Sequence, residues 1–134
     1  DDVMVSGKHC WKITIISGGG DINAGCVNPD SEHDGGVQYS NSDSYTICTC
    51  GGGALYGGNG FAEEGGPSYC DWREGQTLEC YLDLDAGTLR FYVDGVLYSN
   101  GFKNVTGPLV PSVEIVSGAT VLTGQWGLVR PLLC

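Results

Sequence analysis

Residues 75–95, GQTLECYLDLDAGTLRFYVDG, constrain the fold of this chain more than any other stretch. Two runs of alternating apolar residues meet at a short turn, which is the sequence form of a β-hairpin. In the first run Leu78, Cys80, Leu82 and Leu84 share one face, and Glu79, Tyr81, Asp83 and Asp85 share the other. In the second, Leu89, Phe91 and Val93 oppose Arg90, Tyr92 and Asp94. Between the runs, Gly87 can supply the positive φ that a tight turn requires. Asp94-Gly95 reads as a second turn, leading into Val96-Leu97-Tyr98. Consecutive hairpins with one apolar and one wet face imply antiparallel sheet.

The rest of the chain continues the pattern. Strands are expected over 8–16, 22–27, 45–50, 69–72, 109–116 and 119–126, and no segment carries a helical period. The chain therefore reads as all-β, with roughly nine to eleven strands. Its 23 glycines punctuate short strands without a strict repeat, which favours a sandwich or barrel. At 134 residues it is expected to form one domain able to bury a core. Residues 1–5 are a short lead-in, and 31–44 form the most loop-like stretch. Residues 51–66 are glycine-rich but lack the Lys-Ser/Thr pair and following helix of a phosphate-binding loop.

Six basic against sixteen acidic residues give a net charge of −10. Nucleic-acid binding needs clustered cations to displace counterions, and anionic membranes need the same, so both partners are disfavoured. No stretch approaches the roughly 20 apolar residues of a membrane span.

Seven cysteines, Cys10, Cys26, Cys48, Cys50, Cys70, Cys80 and Cys134, suggest an oxidising compartment and disulfides. The pairing is not readable, since six of seven can pair in on the order of a hundred ways. The odd number leaves at least one thiol free, capped or bonded to another chain, and Cys134, beyond the last strand, is the candidate for an intermolecular bond. Cys48-Thr49-Cys50 has neither the spacing nor the second pair of a structural zinc site.

No catalytic set emerges. Asp83 and Asp85 lie on one strand face about 6 to 7 Å apart, a separation that overlaps paired catalytic carboxylates, but they sit in a structural hairpin. His9 and Cys10 are strand neighbours facing opposite ways, so they cannot form a nucleophile pair. His9 and His33 read as surface residues. Glu32-His33-Asp34 does not continue into a glycosidase motif, and Asp30, Glu32 and Asp34 lack an EF-hand's spacing. No cofactor or metal is expected. Asn104-Val105-Thr106 is a glycosylation sequon at Asn104.

Taken together, these segments resemble the SPRY (B30.2-type) family, whose fold is a bent antiparallel β-sandwich of the concanavalin-like type. Ser6-Gly7-Lys8-His9-Cys10-Trp11-Lys12-Ile13 is similar to that family's opening strand, and Ala24-Gly25-Cys26-Val27 to its Ile-Gly-Trp-Ala strand. Gly75, Cys80, Leu82-Asp83-Leu84-Asp85, Gly87, Leu89, Phe91 and Gly95 fall at the family's spacings. Phe102, Asn104, Gly107-Pro108-Leu109 and Pro111-Ser112-Val113 resemble its next loop and strand. The resemblance covers about 6–126, leaving a tail over 127–134. Cys10 and Cys26 stand where the family usually has aromatics, Lys12 replaces an acidic residue, and Asp94 replaces the turn Asn. Asn104 coincides with the family's own Asn, which gives it a structural alternative to glycosylation.

The resemblance implies a non-enzymatic binding module that reads protein or peptide through loops at one edge of the sandwich. Tyr56, Asn59, Phe61, Tyr69 and Trp72 are the candidates for that surface. The cysteines favour a secreted or cell-surface protein, stapled by disulfides and associating with copies of itself through an exposed sheet edge. The alternatives are a recognition module of a larger intracellular, cytoplasmic protein and a carbohydrate-binding sandwich.

Overall fold

The structure, a computed structural model, describes residues 3–17, 22–30, 44–48, 55–57, 74–115 and 120–125. Among these are nine strands: β1 (Lys8–Ser17), β2 (Ile22–Val27), β3 (Ser44–Cys48), β4 (Leu55–Gly57), β5 (Thr77–Asp83), β6 (Thr88–Val93), β7 (Val96–Phe102), β8 (Val110–Ile115) and β9 (Thr120–Gln125). They form two antiparallel sheets, one in the order β7-β6-β5-β1-β9 and the other β4-β3-β2-β8. The all-β expectation holds, and β2 has the expected bounds. β4 falls within the glycine-rich stretch, and the strand expected over 69–72 lies outside the described residues.

The hairpin forms for local reasons. β5 alternates half-buried and buried along its length, with Leu78, Cys80 and Leu82 turned inward. Its first turn is closed by Gly87, at φ 73°, whose N–H donates to the Asp83 carbonyl at 2.7 Å. Asp83 Oδ1 accepts from the N–H groups of Asp85 and Ala86, so this carboxylate holds the turn. Asp85 Oδ1 accepts from Gly7 N–H, which ties the turn to the lead-in. At the second turn Asp94 and Gly95 both take positive φ, 49° and 82°, as a two-residue hairpin connection with the right twist demands.

β7 runs further than its alternation suggests. Its register against β6 passes from Phe91↔Ser99 to Tyr92↔Leu97 and from Leu89↔Phe102 to Phe91↔Ser99, so each step carries an extra residue on β7. These bulges break the period of two. Tyr98 and Ser99 are consecutive yet both buried, and Gly101 and Phe102 repeat the pattern. Gly101, at φ 72°, lies so close to β6 that a Cβ there would run into the carbonyl oxygen of Leu89. Phe102 is thereby aimed into the core, edge-on to Phe91 of its own sheet at 6.4 Å and to Tyr45 of the opposite sheet at 5.4 Å. Each such aromatic pair contributes about 0.5–1.5 kcal/mol beyond its buried area.

The core lies between the sheets, where Trp11, Ile13, Leu78, Leu89 and Phe91 meet Ile22, Ala24, Tyr45 and Ile47. The lead-in joins it: Met4 is 4% exposed and exchanges two backbone hydrogen bonds with Leu109. The second sheet is covered on its other face as well, since Asn23, Ser44, Thr46 and Ser112 are all buried. His9, expected at the surface, is buried too; its Nε2–H donates to the Ser6 carbonyl at 2.7 Å.

Glycine substitutions separate backbone strain from steric conflict. Gly101→Ala should cost more than about 3 kcal/mol, combining left-handed strain with displacement of β6. Gly75→Ala, at φ 84° with open space where the Cβ would sit, should cost only the strain of about 1–2 kcal/mol. Urea unfolding of the two variants checks the difference.

Candidate functional site

The outer face of the hairpin sheet carries a shallow depression of about 250 Å³, lined by Lys8, Tyr81, Asp83, Thr88, Arg90 and Tyr92. Strand register builds it. Lys8 on β1 pairs with Asp83 on β5, which pairs with Thr88 on β6. The next row is Cys10, Tyr81 and Arg90, and the third is Lys12, Glu79 and Tyr92. Side chains of one row stand about 5 Å apart across strands, and successive rows lie about 6.8 Å apart.

The two rings of the face form a platform. Tyr81 and Tyr92 lie 4.8 Å apart at 34°, and both are half-buried. The Tyr81 hydroxyl donates to Glu79 Oε2 at 2.9 Å, while Glu79 Oε1 accepts from Gly95 N–H at 3.0 Å. Glu79 is therefore held from both sides by the hairpin. The cations are not: Lys8, Lys12 and Arg90 are exposed, and among the described residues no hydrogen bond or ion pair engages their heads. These three are half of the chain's six basic residues, gathered on one face of a protein with net charge −10. Sequence reading missed the site. Its signal is the outward half of the hairpin's alternation, but it becomes a site only when β1 is laid alongside.

Of the residues expected to bind partners, Asn59, Phe61, Tyr69 and Trp72 lie outside the described residues. The backbone of Tyr56 lies in β4, opposite Thr46. Asn104 is exposed in the loop after β7 at φ 54°, and the neighbouring Val105 N–H donates to Gly87. This places the sequon beside the central hairpin's first turn. Among the described residues no cluster of three or more metal-ligating side chains occurs.

The cysteines divide. Cys10, Cys26 and Cys80 are buried thiols, not disulfide-bonded. Cys26 and Cys80 face the core from opposite sheets and pack as small apolar groups, so a staple is not what replaces the aromatic expected at Cys26. Cys10 is buried on the outer face, opposite Tyr81. Three thiols leave four of the seven cysteines, hence at most two disulfides within one chain. Cys50, Cys70 and Cys134 lie outside the described residues. Burial pushes the Cys26 thiol upward, and it pushes Cys80 well upward, helped by Cys26, Cys10 and Glu79.

The family model for the SPRY domain matches residues 8–124. Among solved structures the chain is similar to the SPRY domain of human HERC1, with 23% sequence identity and a TM-score of 0.72. The match covers 95% of this chain and 81% of that one, and it bears on the fold alone. No curated protein matches.

The Cys26 and Cys80 thiols set a pH dependence. The unfolded chain ionises them above about pH 8.5, whereas the fold holds them neutral, so their stabilisation is complete below that pH and is lost as pH rises. Unfolding free energy should fall between about pH 8 and about pH 10, with each thiol contributing at most about 1.4 kcal/mol per pH unit. A Cys26→Ala, Cys80→Ala variant should start less stable and fall less steeply in urea titrations.

Proposed function

The chain belongs to the SPRY family, and on that premise we propose that it is a non-enzymatic module acting by protein–protein contact, secreted, disulfide-stabilised and joining copies of itself into an extracellular assembly. The observation that carries the contact role is the outer face of the hairpin sheet. A rigid strand scaffold presents two tyrosines and an arginine, residue types enriched where binding energy concentrates. The acids that could suggest catalysis are occupied structurally, since Asp83 and Asp85 accept backbone N–H groups at the turn.

The secreted, stapled part of the reading rests on the cysteines. Cys48 supports it, since it is disulfide-bonded. With Cys10, Cys26 and Cys80 as thiols, closing Cys48 within the chain leaves two further cysteines able to bridge chains. An exposed sequon at Asn104 suits a secretory route.

A second reading, a recognition module within a larger intracellular protein, is favoured by the three buried thiols. Native intact mass with alkylation, before and after reduction, separates the two. The assembly reading expects Cys10, Cys26 and Cys80 to alkylate only after unfolding, the other four to alkylate only after reduction, and a multimer that reduction dissolves. Seven thiols alkylated in the unfolded, unreduced monomer would overturn it in favour of the intracellular module.

A further inference from the structure

We propose that the outer face of β1, β5 and β6 is a docking site for an extended acidic segment of a protein partner. The inference rests on the protein-contact reading above and names the chemistry of one contact. Three observations carry it.

The first is charge. Lys8, Lys12 and Arg90 are exposed, and among the described residues no hydrogen bond or ion pair engages their heads. The carboxylates on the same face are occupied differently. Both oxygens of Glu79 accept hydrogen bonds from the hairpin, and Asp83 Oδ1 accepts two backbone N–H groups. The donors of this face are open while its main acceptors are engaged, so it calls for a ligand that brings carboxylates. The net charge of −10 does not cancel this. At physiological ionic strength charges are screened over about 8 Å, so a ligand on the face senses the local groups.

The second is spacing. The three cations occupy three successive rows, with Lys8 and Lys12 on β1 at the outer rows and Arg90 on β6 in the middle one. Rows lie about 6.8 Å apart, the interval between alternate side chains of an extended chain. Carboxylates at the first, third and fifth positions of an extended segment therefore fall one to each row. The fit selects against a densely charged polyanion such as a sulfated glycan, which needs a tighter cation cluster than one cation per row.

The third is the tyrosine pair. Tyr81 is fixed by its bond to Glu79 and by contact with Tyr92. The depression beside them can take an apolar or aromatic side chain interleaved with the acids. Arg90 can form two parallel bonds to one carboxylate, which adds orientation to attraction.

The test is selection of random twelve-residue peptides displayed on phage against the immobilised domain, repeated with a Lys8→Gln, Lys12→Gln, Arg90→Gln variant. Among the described residues no hydrogen bond or ion pair holds the substituted heads, so the variant should keep the parent urea midpoint. The expected result is enrichment of peptides with acids at alternate positions. Their affinity by fluorescence polarisation should fall about ten-fold or more on the variant, on Gln-for-Glu exchange in the peptide, and with rising salt. Enriched peptides that are not acidic, or that bind the variant equally, would overturn the assignment and leave the protein-contact reading standing. Failure to enrich any peptide, with heparin fragments or a second copy of the domain occupying the face instead, would overturn the assignment. Absence of any protein or peptide ligand would take the broader reading with it.

Discussion

Burial of one face of the central hairpin against the second sheet is the constraint on which the rest of this structure depends. Leu78, Cys80, Leu82, Leu89 and Phe91 point inward from β5 and β6, and Trp11, Ile13 and Ile15 extend the same surface along β1. A strand slipped by one residue would turn each of these groups to solvent. The register of β1, β5 and β6 is therefore fixed by the core, and the outward side chains inherit that order. Phe102 locks the arrangement from the edge, reaching Tyr45 of the opposite sheet because a bulge at Gly101 redirects it.

This division of labour explains why a contact site can stand on the outer face. The inward residues supply stability, which leaves Lys8, Lys12 and Arg90 without a role in the core. Glu79 and Asp83 serve both faces of the hairpin: they hold its turns and its tyrosine while framing the depression. A face built on strands is also held more rigidly than one built on loops, which suits recognition through a few well-placed charges.

The cysteines show how composition can mislead about individual residues. Seven in 134 residues point to an oxidising compartment, yet Cys26 and Cys80 behave as core side chains. A thiol is small, apolar and well matched to a gap between sheets, so a buried cysteine needs no partner to be accommodated. Nothing in the sequence distinguishes such a residue from one half of a staple, because the difference lies in which other sulfur the fold brings near.

What the sequence determined by itself was local. Period-two alternation, Gly87 and Asp94-Gly95 specify the β5–β6–β7 meander, because strand faces and tight turns depend on residues only a few positions apart. The SPRY fold followed from those spacings together with the flanking strands. Burial of His9, the bulges of β7 and the extent of β7 to Phe102 were decided by tertiary packing, which overrides simple alternation. The candidate site belongs to that second class. Lys8 and Arg90 are far apart along the chain and meet only because β1 pairs with β5 and β5 with β6. Pairing between distant strands is set by the whole core at once, and no local pattern carries it.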